Sequence, residues 1–243
     1  MIRTAIVAAM EDEILRLAIR WRDKVLVSGD RTFVCHEEGE VLAVAGGIGA
    51  REAERTARTI IQNYHPEVVI SAGLAGALIR SLKVGSVLLP NVIVDAESGA
   101  EYRCVPQEDV LTGGVLVSAG EVAGLKFKEE LVRRFHASAV DMEAAGVARA
   151  AQEAGVKFSC VKAISDEFDF PMPPLTRFID MQGKMRTAQF VRWAAVRPQF
   201  WPATVRLARN SRRATQALGE WLRRNVAKLP VEPIVTLHKE EHW

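Results

Sequence analysis

Three acidic sites in this 243-residue chain stand where an α/β protein can do chemistry. Glu11, Asp12 and Glu13 follow the short apolar run TAIVAA. Asp141 and Glu143 flank Met142 ahead of the alanine-rich segment AAGVARAAQ. Ser165 and Asp166 end the run KFSCVKAISD. In open α/β sheets, ligands bind beyond the carboxyl ends of strands. Carboxylates that converge there can move protons and bind sugar hydroxyls. Each site also has a plainer explanation, because acids in a first helical turn favour the helix dipole. Asp166 stands out alone, since it follows a buried run and precedes a loop.

The glycine-rich stretches are less informative. GGIGAREA lacks the Lys-Ser/Thr pair of a P-loop, and no ribose-binding acid follows at the distance a GxGxxG motif needs. SAGLAGAL lets a ligand approach the backbone, or lets a strand and a helix pack closely. HExxH and GxSxG motifs are absent.

These residues need a scaffold, and the hydrophobic pattern supplies one. Residues 3 to 9 read as a buried strand, followed by helical spacing from Glu11 to about Arg22. Residues 24 to 44 alternate as two or three antiparallel strands. GGIGAREAERTARTIIQNY reads as a turn into an amphipathic helix with Ala53, Ala57, Ile60 and Ile61 on one face. PEVVISAGLAGAL suits a strand buried on both faces. VGSVLLPNVIVDAES, GGVLVSAGEVAG and KFSCVKAISD supply further strands. Asp141 and Glu143 fall at the entrance of a helix. Strands alternating with helices predict an α/β fold, a layered sheet with helices on its faces. After Asp166, EFDFPMPPLTRF is too proline-rich for a regular element. The remainder is helical, basic and aromatic, with a C-terminal helix expected over residues 203 to 228.

Composition excludes several classes. Hydrophobic residues make up 49%, enough for a sizeable core, and the net charge of +2 gives no reason to expect nucleic acid as a partner. Cys35, Cys104 and Cys160 are far apart, with no CxxC pair, which argues against a disulfide framework or a structural zinc site. No secretory signal or membrane span is evident, so a cytoplasmic protein is expected.

AIVAAMEDEI, AGGIGAREA, VVISAGLAGALIRSLKVGSVLLPNVIVDAE, LVSAGEVAG, AVDMEAAGVARAA and VKAISD occur in that order. Together they resemble the nucleoside phosphorylase/nucleosidase superfamily over most of residues 1 to 166. The resemblance is closest to methylthioadenosine/S-adenosylhomocysteine nucleosidases and hopanoid-associated relatives. VDMEA and AISD are its most specific pieces. The resemblance implies a three-layer α/β/α domain with a central mixed, twisted sheet over residues 1–176. A helical C-terminal extension over 177–230 would pack on it, followed by a tail over 231–243.

It also implies roles by position. Glu13 matches the residue that activates the attacking water, and Asp166 the acid that protonates or hydrogen-bonds purine N7. Met142 and Glu143 match the pair that holds the ribose. Gly76, Val122 and Ser165 match base-binding positions. The implied activity is hydrolysis of the N-glycosidic bond of a 5′-modified adenosine, with no metal or organic cofactor. A homo-oligomer is expected. Leu74 stands where the family commonly has Ser or Thr, and no arginine is evident in the first loop. Both disfavour phosphate as nucleophile. Val122 replaces an aromatic residue. A phosphate-dependent phosphorylase and a nucleoside-binding protein without turnover therefore remain as alternatives. The basic, aromatic extension reads first as a packing element and second as a peripheral lipid contact through the C-terminal helices, suited to a lipid-linked nucleoside.

Overall fold

The structure, a computed structural model, describes residues 1–29, 31–105 and 113–226. The expected tail and residues 227–230 of the expected extension lie outside the described residues. Among the described residues, eleven strands form one mixed sheet. Strand β1 (Thr4–Ala8) lies parallel to both β4 (Val41–Ala45) and β5 (Val68–Ala77). Strands β2 (Arg22–Ser28) and β3 (Arg31–Glu38) continue the β4 side antiparallel. Helix α1 (Glu11–Ala18) ends well before Arg22, because the segment that follows joins β3 as a strand.

The sheet forks at β5. Its first half pairs with β1 on one side, and nearly its whole length pairs on the other with β11 (Lys157–Asp166), which runs parallel to it. Its last residues also pair antiparallel with β10 (Ala139–Asp141), which lies beside β9 (Val115–Ser118). Beyond β9 come β7 (Val92–Asp95) and β8 (Glu101–Arg103), while the short β6 (Val87–Leu88) pairs with β11. Val140 and Asp166 are thereby both placed opposite Gly76. The β11 register slips between Ile164 and Asp166, so Ser165 is the extra residue of a bulge. Bulges bend a strand and re-aim its side chains.

Two cores cover the two faces. Val69, Ala75 and Ala77 of β5 pack in one cluster with helix α2 (Ala50–Tyr64) and helix α4 (Ala144–Glu153). Val68, Ile70 and Ala72 alternate into the other, with α1 and helix α6 (Trp201–Asn225). This period-2 alternation is what a strand buried on both faces requires. Ala214, Leu218 and Leu222 of α6 are wholly buried there. The third cluster joins helix α3 (Leu125–Phe135), through Leu131, to Val117 and Val140. The result is a helix–sheet–helix sandwich, the expected class.

The alanines of α4 let it lie close to α2. A β-carbon at Gly146 would stand 1.9 Å from the Ala50 carbonyl oxygen, so only glycine fits there. Replacing Gly146 by alanine forces the two helix starts apart. We expect a loss of about 1–3 kcal/mol, read as a fall in Tm of about 2–4 °C per kcal/mol.

Candidate active site

Glu13, Glu143 and Asp166 open into one cavity of 470 Å³ at the fork of the sheet. All three are buried. Gly76, Val122, Met142 and Ser165 line the same space, so every residue given a role by the resemblance borders it. Glu11 and Asp12 do not. Glu11 pairs with His36 instead.

Glu13 reaches in from the first turn of α1. Its Oε2 accepts N–H bonds from Ala9 (2.9 Å) and Met10 (3.0 Å), and its Oε1 accepts one from Leu74 (3.2 Å). The Met10 bond satisfies a free donor at the helix start. The Ala9 and Leu74 bonds tie the carboxylate to β1 and β5 as well. A β-carbon at Gly73 would stand 3.3 Å from both carboxylate oxygens, so that glycine keeps the approach open. Burial pushes the Glu13 carboxyl above its ordinary value, against the opposing pull of Lys162 and these N–H donors.

Asp141 stands at the entrance of α4, as the sequence suggested, and accepts the N–H of its first residue, Ala144. It closes β10, a strand of three residues too short to show a period. It accepts from Ser118 Oγ (2.6 Å) and Ala144 N–H (2.9 Å), and Lys162 Nζ lies 2.8 Å away. It borders the cavity too, but Ser118, Ala144 and Lys162 engage its carboxylate, so it serves as an anchor rather than as a base. Burial works against the Lys162 charge, but Asp141, with Cys160 and Glu143, outweighs it and holds the ammonium well above the usual lysine range.

Glu143 is the N-cap residue of α4. Its Oε1 accepts from Gly49 N–H at 2.9 Å and its Oε2 from Met142 N–H at 3.3 Å. The close contact at Gly146 brings the Gly49–Ala50 turn within reach. Burial, with Asp141 nearby, raises the Glu143 carboxyl to about 7, with Lys162 opposing.

Asp166 completes the set. Ser165 Oγ donates to its Oδ1 at 2.8 Å, and Lys128 Nζ lies 2.5 Å from its Oδ2. Val122 borders this end of the cavity, but its N–H is engaged by Thr176 Oγ1 at 3.1 Å. Lys128 and Lys162 are the buried charges that the sequence did not betray. Lys128 lies in KFKEELVRR, which reads as a solvated helix face.

The rest of the wall is apolar and comes largely from the extension. Met172, Ile179, Met185, Phe190 of helix α5 (Thr187–Ala195) and Leu207 of α6 close over Ile48. Ile48 and Gly183 are joined by a 2.8 Å backbone bond. Concave, mostly apolar space with a few convergent polar groups is typical of small-molecule sites. Among the described residues, no group of three or more His, Cys, Asp or Glu side chains is placed to hold a metal ion.

Known proteins resemble this chain in sequence and fold. The 5′-methylthioadenosine/S-adenosylhomocysteine nucleosidase of Staphylococcus aureus is 30% identical over 193 residues, covering 66% of this chain and 85% of that protein. Its Staphylococcus epidermidis counterpart is 28% identical over the same length. The Helicobacter pylori nucleosidase of that name, solved with butyl-thio-DADMe-Immucillin-A, superposes with a TM-score of 0.71 at 21% identity, covering 94% of this chain and 99% of that one. Helicobacter pylori futalosine hydrolase superposes equally well, at 0.71 and 21%, covering 94% and 98%. These last two likenesses speak to the fold. The model of the phosphorylase superfamily matches residues 3–119 and 107–192, and the chain belongs to that superfamily.

Proposed function

We propose that this protein is an adenine nucleosidase that hydrolyses the N-glycosidic bond of a 5′-substituted adenosine. The observation that carries the reading is the meeting of Glu13, Glu143 and Asp166 in one cavity. Breaking such a bond builds positive charge on the sugar and an electron pair on the departing base. Glu13 takes the proton of the attacking water. Glu143 accepts the ribose hydroxyls, and Met142 lies against the sugar. Asp166, with Ser165, holds the N7 edge of the base above Gly76 and beside Val122. The apolar wall of Ile48, Met185 and Phe190 suits an apolar 5′ group. Leu74 offers only a backbone N–H next to Glu13, which favours water over phosphate as nucleophile.

The test is adenine release from methylthioadenosine, S-adenosylhomocysteine and 5′-deoxyadenosine. Release from at least one supports the reading. Tight adenine binding with no release from any nucleoside would make the protein a binding module.

The pH dependence follows from Glu143. Its carboxyl is raised to about 7, chiefly by burial, and the ionised form is the better acceptor for two hydroxyl donors. We expect kcat/KM to rise with pH through about 7, and Glu143→Gln to flatten that limb. The sign for stability is opposite. A carboxyl raised in the folded state favours folding below its ordinary range, and that contribution is lost as pH rises through about 7.

Two partner proposals accompany this. Val25, Val27 and Val34 form an exposed apolar face on β2 and β3, at the edge of the sheet. Such faces are covered by association, and we infer a homo-oligomer, measurable as mass by light scattering. Val191, Val196, Trp201 and Val205 are exposed on the extension among exposed Arg192, Arg206 and Arg209. No helix among the described residues is long and apolar enough to cross a membrane. This face fits contact with an anionic lipid surface. Co-sedimentation with anionic vesicles, reduced in Trp201→Ser, would support it, and none by the wild type would refute it.

A further inference from the structure

A buried lysine stands behind the acid that faces the leaving base. Lys128 belongs to α3, and its side chain is closed to solvent. Its Nζ lies 2.5 Å from Asp166 Oδ2 and donates to the Glu167 carbonyl at 2.9 Å. It also lines the catalytic cavity. Nothing in the core packing calls for a charge here. A leucine or methionine would fill the same space without desolvating an ammonium group, which is costly.

The glycine opposite points the same way. A β-carbon at Gly76 would stand 2.9 Å from Asp166 Oδ2 and 3.3 Å from Lys128 Nζ. The strand is bare where the pair meets, so the pair and not a side chain of β5 forms that part of the floor. Ser165 holds the other oxygen of Asp166, fixing the plane of the carboxylate from both sides.

Charge gives the arrangement a purpose. When the bond from C1′ to the purine breaks, its electron pair goes to the base. A lone buried carboxylate at the base edge would oppose that build-up. An ammonium at contact distance behind it cancels the opposition, and does so most strongly in a site closed to water. We propose that Lys128 is a positioning residue for base departure: it orients and neutralises the Asp166 carboxylate, which accepts the N–H of a purine that takes its N7 proton from water as the C1′–N9 bond breaks, instead of opposing the departing electron pair as a bare anion. This rests on the nucleosidase reading above.

The role has a signature that a purely structural lysine lacks. It acts through Asp166, and it matters most for a leaving group that needs help. Base release from methylthioadenosine is compared with release of nitrophenolate from 4-nitrophenyl riboside, whose leaving group departs as a stable anion. We expect Lys128→Met to lower kcat/KM on the purine nucleoside about 100-fold, the lower end of acid–base effects. The aryl riboside should suffer at least about tenfold less, a departure from uniform loss that marks a transition-state role. Lys128→Arg, which keeps the cation, should recover part of the loss. Equal losses on both substrates, or no loss on the purine, would overturn the proposal.

A buried Asp166 without its partner could unfold the single variant, so the double variant Lys128→Met/Asp166→Asn removes both charges. If Lys128 acts through Asp166, the double variant is no slower than Asp166→Asn alone. Multiplying losses would contradict it. A wild type that releases adenine from no nucleoside would sink the nucleosidase reading, whereas adenine release by the wild type with equal losses on both substrates in Lys128→Met would sink this proposal alone.

Discussion

Glu13→Gln should lower kcat by about 10²–10⁴-fold, the usual range for loss of a general base, with a much smaller change in KM. The hydrogen-bond inventory explains why. A carboxylate offers about four acceptor positions, and Ala9, Met10 and Leu74 take three of those on Glu13. About one is left for a water in the cavity. Burial raises this carboxyl, which makes it a stronger base once ionised. Glutamine keeps the size and still accepts from Ala9 and Met10. It cannot take the water proton, and its amide nitrogen would face the Leu74 N–H. A modest fall in Tm is therefore expected beside the large fall in turnover. Single-turnover measurement of adenine release checks the prediction. Retention of kcat within tenfold would remove Glu13 from the base role.

The second large effect is Asp166→Asn, for which two consequences should appear together. Turnover falls by about 10²–10⁴-fold, because the departing base loses the ion-paired carboxylate that accepts from its N7 edge. Stability also falls, because Lys128 is left in the core without its counter-charge. Breaking a buried ion pair by removing one partner typically costs about 3–5 kcal/mol. For a chain of this size that is a fall in Tm of about 2–4 °C per kcal/mol. Thermal unfolding and adenine release on the same preparation read both. A variant as stable as the wild type would mean that the Lys128 contact contributes little. A variant with unchanged turnover would remove Asp166 from the chemistry.

The acids were legible because they stand where strands end in an α/β pattern, and because VDMEA and AISD occur in the right order. The bounds of α2 followed from a run long enough to show its period, and those of β5 and β11 from apolar runs of strand length. That Asp141 also ends a strand was hidden because β10 has only three residues, while the alanines behind it read as helix from the start. Helix α1 was drawn too long, because Ile19 and Trp21 continue an apolar spacing that the pairing of β2 with β3 overrides.

Lys128 and Lys162 were hidden for a different reason. A lysine in an amphipathic helix or an alternating strand is ordinarily solvated, and only the fork of the sheet encloses these two. For Lys162 there was a faint signal, since it interrupts an otherwise apolar strand. For Lys128 there was none, because its partner lies 38 residues away on another element.

The most direct test of the account is the product formed from methylthioadenosine by the wild-type protein, with and without added inorganic phosphate. Free adenine and free methylthioribose, at the same rate in both, is the result expected for water as nucleophile at Glu13. Methylthioribose 1-phosphate, formed only when phosphate is present, would contradict it and put the nucleophile at Glu13 in phosphate's favour.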